Sequence, residues 1–249
     1  VYKRQTSSFK MNKDVFTYPV VWWPKEFITS NYVRIWEEIP LLRYFFNTSK
    51  LTVLMTILQL LTSTFAAYAF AKMKFPGKDF LFLSYICTIA MPWQSYMIPQ
   101  FIIIKKMGLV NTHLALIILQ SFTAFGVFLV RQFYMEIPNE ICEAARIDGM
   151  SEYGIYAKIM LPLSKPVIAT LTIFSFTTIW NDFMGPLIYI NSQNLKTIQL
   201  GLRSFITEYS SEYSLIMAGS VVALIPVLIV FACLQKYFVE GIASTGLKG

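Results

Sequence analysis

Long apolar stretches alternate along the chain with short polar connectors. A segment of about 20 mostly apolar residues is long enough to cross a lipid bilayer as a helix. Five stretches meet this requirement, and we predict a membrane-spanning helix in each of them: residues 51–71, 80–104, 114–130, 167–190 and 215–234. Membrane helices tolerate proline where neighbouring groups satisfy the freed carbonyls. We therefore expect kinks at Pro92, Pro99 and Pro226.

The composition favours a membrane protein over a water-soluble one. Of the 249 residues, 55% are hydrophobic and 14% are charged, and the mean hydropathy is +0.53. Soluble domains carry about a quarter charged residues. Pattern and composition together predict an all-α integral membrane fold with one transmembrane domain at residues 51–238.

The net charge of +7 comes from Lys and Arg residues spread over short loops, a distribution that excludes nucleic acid as a partner. Cys87, Cys142 and Cys233 are far apart in the sequence. Their spacing is not that of a disulfide framework or a metal site, so we predict that the chain binds no metal.

The distribution of basic residues predicts the orientation, because Lys and Arg favour the cytoplasmic side of short loops. One set of connectors and the C-terminal tail contain nine of them: Lys72, Lys74, Lys78, Arg131, Arg146, Lys158, Lys165, Lys236 and Lys248. The opposite connectors contain four: Lys105, Lys106, Lys196 and Arg203. We predict a membrane protein with the connector 136–163 and the tail 239–249 in the cytoplasm and residues 6–50 outside.

The start of the chain suggests that a helix is missing. An external N-terminal segment without a signal sequence ahead of it is unusual, so we expect six spans in the intact protein and five in this chain. The first residues, "VYKRQ", match what a common sequencing adapter encodes in one reading frame. We expect residues 1–5 to be an assembly scar and leave them out of the fold prediction.

The polar connector 136–163 begins with the pattern of a short helix. Pro138 suits a first helical turn, and Glu143 lies near the positive end of the helix dipole. Ile141, Ala144 and Ala145 share one face at helical spacing and leave that face thin enough for close approach of another surface.

A second short helix follows after a turn. Gly149 suits the left-handed position that ends a helix, and Ser151 suits the cap of the next one. Ile155 and Ile159 align on that helix, which we expect Pro162 to close. The connector is thus predicted to be a helix–turn–helix with an apolar seam. Its mixed charge favours docking into a protein groove over lying on a membrane.

The spacing of this connector resembles a known signature. Glu143-Ala144-Ala145, three residues, Gly149, nine residues and Ile159-Met160-Leu161-Pro162 fit the EAA motif of ATP-binding-cassette importer permeases at every defined position. Other stretches resemble the carbohydrate, maltose-permease-like branch of that family: "RYFFNTS" (43–49), "YAFAKMKFPGKD" (68–79), "LPLSKPVIATLTIF" (161–174), "WNDFMGPL" (180–187) and "KYFVEGIASTGLKG" (236–249). The resemblance covers nearly the whole chain after residue 5, and the missing first helix is the departure from it.

The resemblance implies a sugar importer subunit whose EAA loop (residues 136–163) couples ATPase closure to alternating access. It implies four kinds of partner: the membrane, a second permease, two cytoplasmic ATPase subunits and an extracytoplasmic sugar-binding protein. The docking core would comprise Glu143, Ala144, Ala145, Asp148 and Gly149, and the connection to the next span Ile159, Leu161 and Pro162. The sequence lacks a GxxxxGK[ST] phosphate loop, so we expect ATP and Mg²⁺ on the partner and no cofactor on this chain.

Polar residues in two apolar runs are candidates for the transport pathway. Trp180, Asn181 and Asp182 are candidates in the fourth run, because a Trp ring can stack on a sugar face and ionisable residues within a membrane usually face a cavity. Trp93 and Gln94 follow the proline in the second run. The alternatives are hydration of the first group at the outer interface and packing of the second between kinked helices.

Three other functions are the alternatives to a sugar importer. The same architecture serves importers of other solutes, such as polyamines or phosphate. A secondary transporter would show repeated spans and coupling charges at the membrane midplane, and we find no convincing repeat in the sequence. A membrane enzyme would need a catalytic cluster, which the sequence does not offer.

Overall fold

The computed structural model describes residues 2–19, 21–24, 26–206 and 212–246, with side chains from residue 4 to residue 237 within these ranges. The architecture is all-α, as the hydrophobic pattern predicts. Its α-helices are α1 (Tyr2–Ser7), α2 (Ser30–Glu38), α3 (Leu41–Lys72), α4 (Lys78–Cys87), α5 (Trp93–Lys106), α6 (His113–Gln120), α7 (Ala124–Glu136), α8 (Asn139–Ile147), α9 (Glu152–Ile155), α10 (Leu161–Leu163), α11 (Lys165–Trp180), α12 (Met184–Tyr189), α13 (Ile198–Leu202) and α14 (Tyr213–Gly246).

Three helical segments in the described residues are long and apolar enough to cross a membrane: Leu41–Lys72, His113–Glu136 and Tyr213–Tyr237. A bent pair, Glu152–Leu163 followed by Lys165–Trp180, would make a fourth if it counts as one span. The first, third and fifth predicted spans fall within the three long segments. The helix of the first predicted span, α3, begins at Leu41 rather than at residue 51, so it includes the end of the predicted extracytoplasmic segment 6–50.

The helix α3 is the centre of the fold and packs against α6, α7, α11 and α13. A row of small or amide side chains on it is buried: Thr48, Thr52, Thr56, Gln59 and Ser63. Small polar residues allow membrane helices to approach closely. At Gly126 of α7, an added Cβ would come within 2.5 Å of the Ser63 hydroxyl, which shows how near the two helices lie.

The second predicted span, residues 80–104, is not one helix. Residues 88–92 separate α4, with 10 residues, from α5, with 14 residues, and the first three of them, Thr88–Ala90, form a 3-10 turn. Pro92 has an extended backbone (ψ 132°) and no N–H to continue the helix, which accounts for the interruption. The kink predicted at Pro92 is therefore a full break of the helix, whereas α5 and α14 continue through Pro99 and Pro226, where the kinks stay a prediction.

The third predicted span is also interrupted, which the sequence analysis missed. Residues 121–123 leave the helical path between α6 and α7, near the middle of the segment His113–Glu136. The side chains of α3 satisfy the freed carbonyls: Gln59 Nε2 donates to Gln120 O at 2.7 Å, and Thr62 Oγ1 donates to Ser121 O at 2.9 Å. Non-helical backbone at membrane depth needs such partners.

The fourth predicted span, residues 167–190, ends earlier than expected. The helix α11 stops at Trp180, residues 181–183 are non-helical, and the short α12 follows. Trp180 itself is only 1% exposed, and its Nε1 donates to Ala223 O at 2.8 Å. Its ring stacks on Phe176 with the centroids 5.5 Å apart.

The N-terminal segment and the C-terminal helix pack together at one end of the bundle. Ile35 of α2 and Tyr44 of α3 share a buried cluster with Leu215 of α14. The helix α14 continues to Gly246, so the predicted tail 239–249 begins inside it, and residues 247–249 lie outside the described residues. The short helix α1 includes the suspected adapter residues 2–5, whose origin stays a prediction.

Candidate functional site

The EAA loop is a helix–turn–helix, as the sequence predicts. The helix α8 ends in a Schellman arrangement, in which Gly149 N donates to Arg146 O at 3.0 Å and Met150 N donates to Ala145 O at 2.9 Å. Gly149 has a φ of +80°, which is the left-handed conformation that glycine adopts without strain. Ser151 then caps α9 and accepts from Gly154 N at 3.3 Å.

The second half of the loop departs from regular α-helix. A π-helical turn, Tyr156–Met160, follows α9 and adds one residue to the turn. As a result Ile155 and Met160 are the fully buried pair, each 0% exposed, while Ile159 is only partly buried. The predicted pairing of Ile155 with Ile159 is corrected in this way, and the helix ends at Leu163 rather than at Pro162.

One face of α8 is buried against α3 and α7. Cys142 and Ala145 are 1% and 5% exposed and belong to a cluster with Ala67 and Tyr68 of α3 and Tyr134 of α7. Burial raises the pKa of the Cys142 thiol. Ala145 is therefore a packing residue, not a surface for a partner. The prediction that Ile141, Ala144 and Ala145 share one face is wrong, because Ile141 and Ala144 are exposed on another side of the helix.

Polar side chains fasten the same loop to the end of α3. Arg146 donates from Nε to Glu152 Oε1 at 2.6 Å and from Nη2 to Glu152 Oε2 at 3.2 Å. Tyr68 OH of α3 donates to the same carboxylate at 2.5 Å. Lys72 Nζ, at the end of α3, donates to Asn139 Oδ1 at 2.8 Å. We call these five side chains the clamp.

The opposite face of the loop is exposed. It presents Glu143, Ala144 and Asp148, with Gly149 at the turn. Two large apolar side chains stand out beside them, Ile147 at 86% and Tyr153 at 72% exposure. The side chains of Ile159 and Leu161 are partly buried, and Pro162 is exposed. A small, acidic surface with exposed apolar groups suits contact with another protein.

The loop is also joined to α11. After Leu163 the chain bends by 79° at Ser164, a buried residue whose Oγ donates to Met160 O at 2.8 Å. The loop is thus fastened to α3 by side chains and continuous with α11 along the chain.

A cavity of about 340 Å³ lies beside the interruption between α6 and α7. Four parts of the chain contribute side chains with polar groups to its lining: Gln59, Trp93, Tyr96, Gln100, Gln120, Thr123, Thr178, Asp182 and Tyr189. Asp182 accepts at Oδ2 from Gln120 Nε2 at 2.5 Å and at Oδ1 from Gly185 N at 3.1 Å. Gln100 Oε1 accepts from Trp93 Nε1 at 2.9 Å and from Tyr189 OH at 3.2 Å.

The structure brings together some of the predicted pathway residues and separates others. Trp93 and Asp182 line the cavity. Trp180 lies in the core instead, because its ring fills the space between α11 and α14. Gln94 and Asn181 are exposed and are not among the residues that line the cavity, and Asn181 Nδ2 donates to Thr177 O at 2.8 Å.

The amides of Gln59, Gln100 and Gln120, which line the cavity, were not among the predicted pathway residues. Gln59 and Gln120 stand within apolar runs, and polar residues in membrane helices usually face the bundle interior or a cavity. That signal was available in the sequence. The pairing of Gln120 with Asp182 could not be predicted from the sequence, because it depends on how α6 and α12 pack together.

These features define a polytopic helical membrane protein with a polar cavity and a connector loop that is exposed on one face. Residues 59–244 match the family model described as the inner membrane component of binding-protein-dependent transport systems. The chain belongs to this family. It is a permease subunit of the ATP-binding-cassette importer type.

Curated relatives extend the match. The arabinooligosaccharides transport system permease protein AraQ of Halalkalibacterium halodurans is 36% identical over 91% of this chain and 81% of its own length. The lactose transport system permease protein LacG of Rhizobium radiobacter is 33% identical over 84% and 76%. The osmoprotective compounds uptake permease protein GgtD of Synechocystis is 32% identical over 92% and 79%.

A solved structure agrees with the fold. It is a bacterial ABC transporter involved in the import of the acidic polysaccharide alginate. One of its chains matches with a TM-score of 0.82 and 25% identity, covering 95% of this chain and 89% of that one.

The two faces of α8 predict different thiol reactivity. In a background with Cys87→Ser and Cys233→Ser, both exposed positions in the native chain, a maleimide should label Ala144→Cys rapidly. Native Cys142 should react only after denaturation in detergent, because it is buried and its thiol stays protonated. Equal labelling of the two positions in the folded protein would contradict the described packing of the loop.

Proposed function

We propose that this chain is the permease subunit of an ATP-driven saccharide importer in a bacterial plasma membrane. The observation that carries the proposal is the form of the EAA loop. One face of it is fastened to α3 by the clamp, and the other face is free for a partner.

The partner at the exposed face is a cytoplasmic ATPase subunit. This chain lacks a phosphate loop, so ATP and Mg²⁺ bind to the partner. Glu143, Ala144, Asp148 and Gly149 form the docking surface, and Ile147 provides an apolar group that docking would cover. The complete importer contains two ATPase subunits, a second permease and an extracytoplasmic binding protein that delivers the solute.

Closure of the ATPase pair changes access to the transport pathway through two connections. The clamp transmits displacement of α8 to α3, and the bend at Ser164 transmits it to α11. Both helices lie beside the cavity, since Gln59 of α3 and Thr178 of α11 line it. Motion of the loop therefore reaches the residues that a solute would meet.

The distribution of basic residues supports a cytoplasmic EAA loop and C-terminus. An impermeant maleimide should then label Ala144→Cys, in the background without exposed native cysteines, in inside-out vesicles and not in intact cells. The reverse result would invert the proposed topology.

The relatives support a saccharide as the solute. Their names concern arabinooligosaccharides, lactose and the melibiose, raffinose and stachyose group. The relative that takes up osmoprotective compounds favours such a compound as a second candidate. Phosphate fits less well, because Asp182 projects a carboxylate into the cavity and Lys, Arg and His are absent from its described lining.

Reconstitution tests the proposed function. The chain, purified from native membranes, should bring an ATPase, a second permease and a binding protein with it. In proteoliposomes this complex should accumulate lactose, raffinose or arabinotriose only when ATP is present. Recovery of a lone oligomer without an ATPase would contradict the proposal and favour a secondary transporter.

Substitutions at Gly149 test the coupling role of the loop. Open space surrounds the position where a Cβ would be added, so the cost of a side chain there comes from the φ of +80°. An ordinary residue with a side chain is strained by about 1–2 kcal/mol in this conformation, and a β-branched residue such as Val is an outlier there. Asn adopts the conformation more readily. Gly149→Val should lower uptake per ATP hydrolysed by tenfold or more, and Gly149→Asn should retain most of it.

The control for this pair is membrane insertion. Both variants should reach the membrane at the same level, because the turn lies outside the long helices. Normal coupled uptake by Gly149→Val would remove the loop from the mechanism.

A further inference from the structure

We propose that the cavity beside α3, α5 and α12 is a binding site for a neutral saccharide, so that this subunit itself holds the solute during transport. The proposal rests on the proposed function of saccharide import and deepens it. The sequence pattern and the family match leave open whether this chain touches the solute.

The position of the cavity is the first argument. It lies where the segment His113–Glu136 is interrupted, and Phe122 and Thr123 of the interruption line it. Non-helical backbone in a membrane occurs where it is buried in protein or lines a water-filled cavity. Gln59 lies near the middle of α3, so the polar space is far from both ends of the helix.

The carboxylate of Asp182 is the second argument. A carboxylate offers about four acceptor positions. Gln120 Nε2 and Gly185 N fill two of them and fix the orientation of the group. The remaining positions accept hydroxyl protons, which saccharides supply in number. An ionisable residue held at this depth usually marks a solute pathway.

The amide of Gln100 is oriented in a complementary way. Its Oε1 accepts from both Trp93 Nε1 and Tyr189 OH. With the oxygen used by these two donors, the amide nitrogen is the part of Gln100 that can donate to a ligand oxygen. The cavity thus presents an acceptor at Asp182 and a donor at Gln100, which together match the dual character of a hydroxyl group.

Aromatic rings complete the lining. Trp93 and Tyr96 both line the cavity, and the Nε1–H of Trp93 is paired with Gln100. Small-molecule sites combine aromatic or apolar walls with a few placed polar groups in about 300–1,000 Å³, a range that includes this cavity.

The charge of the lining selects a neutral solute. The described residues of the cavity contain one carboxylate and no basic side chain, so a uronate or phosphate would face repulsion. A polyamine would need several carboxylates along its length, and the lining has only Asp182.

Thiol protection in the reconstituted complex tests the site. Thr178→Cys places a thiol in the cavity, and Gln94→Cys on the exposed side of α5 is the matched control. Both variants use the background without exposed native cysteines. Lactose, raffinose or arabinotriose should slow maleimide labelling of Thr178→Cys and leave Gln94→Cys unchanged. A galacturonate trisaccharide and spermidine should protect neither.

Asp182→Asn separates binding from a structural role. Asn retains an oxygen for Gly185 N, and a turned-over Gln120 amide accepts with its Oε1 from the new Nδ2, so a purely structural Asp182 would tolerate the change. We expect the half-protecting saccharide concentration to rise on the order of tenfold to hundredfold, as for a lost hydrogen bond to a charged group. Asn181→Ala, next in the chain but outside the cavity lining, should leave it unchanged.

The outcomes distinguish the site from the function. If the complex accumulates a saccharide but no saccharide protects Thr178→Cys from maleimide, the proposed site is refuted while the importer stands. The same conclusion follows if saccharides protect this thiol equally well with Asn and with Asp at position 182. Protection by spermidine or galacturonate alone would refute a neutral ligand. If the complex accumulates none of the saccharides, the proposed function fails, and the site fails with it.

Discussion

The attachment of the EAA loop to the membrane helices depends on the carboxylate of Glu152, which accepts from Arg146 within the loop and from Tyr68 of α3. A short connector would otherwise move independently of the membrane helices. Since the same loop buries Cys142 and Ala145 against α3 and α7, polar and apolar contacts hold it in one orientation. In the proposed mechanism, that fixed orientation lets a force on the exposed residues reach the centre of the bundle.

A second constraint shapes the membrane region: backbone groups freed from a helix need partners where water is scarce. Gln59 and Thr62 meet this need at the interruption between α6 and α7. The interruption and the α11–α12 break lie close together, because Gln120 pairs with Asp182. The local loss of helical structure therefore produces a polar space inside the bundle. The helices α3 and α11, to which the EAA loop is joined, both line this space.

Local chemistry made part of this predictable from the sequence. Gly149 and Ser151 act where their backbone preferences place them, and the EAA spacing identifies the loop. Properties that depend on distant packing were not predictable. The π-helical turn exchanges Ile159 for Met160 in the core, and the meeting of α11 with α14 buries Trp180, which sequence reasoning had assigned to the pathway. Hydrophobicity alone likewise gave no sign that residues 121–123 would leave the helix.

The most direct test of the central claim is a distance measurement by pulsed electron spin resonance in the active complex. Spin labels at the exposed positions Ile147, on the loop, and Leu61, on α3, report whether the two elements move together. The account predicts one narrow distance distribution that is the same without and with ATP, and a broader one in Glu152→Ala, which removes the shared acceptor. A shift of the distribution on ATP binding in the native clamp would contradict the account, because the loop would then move independently of α3.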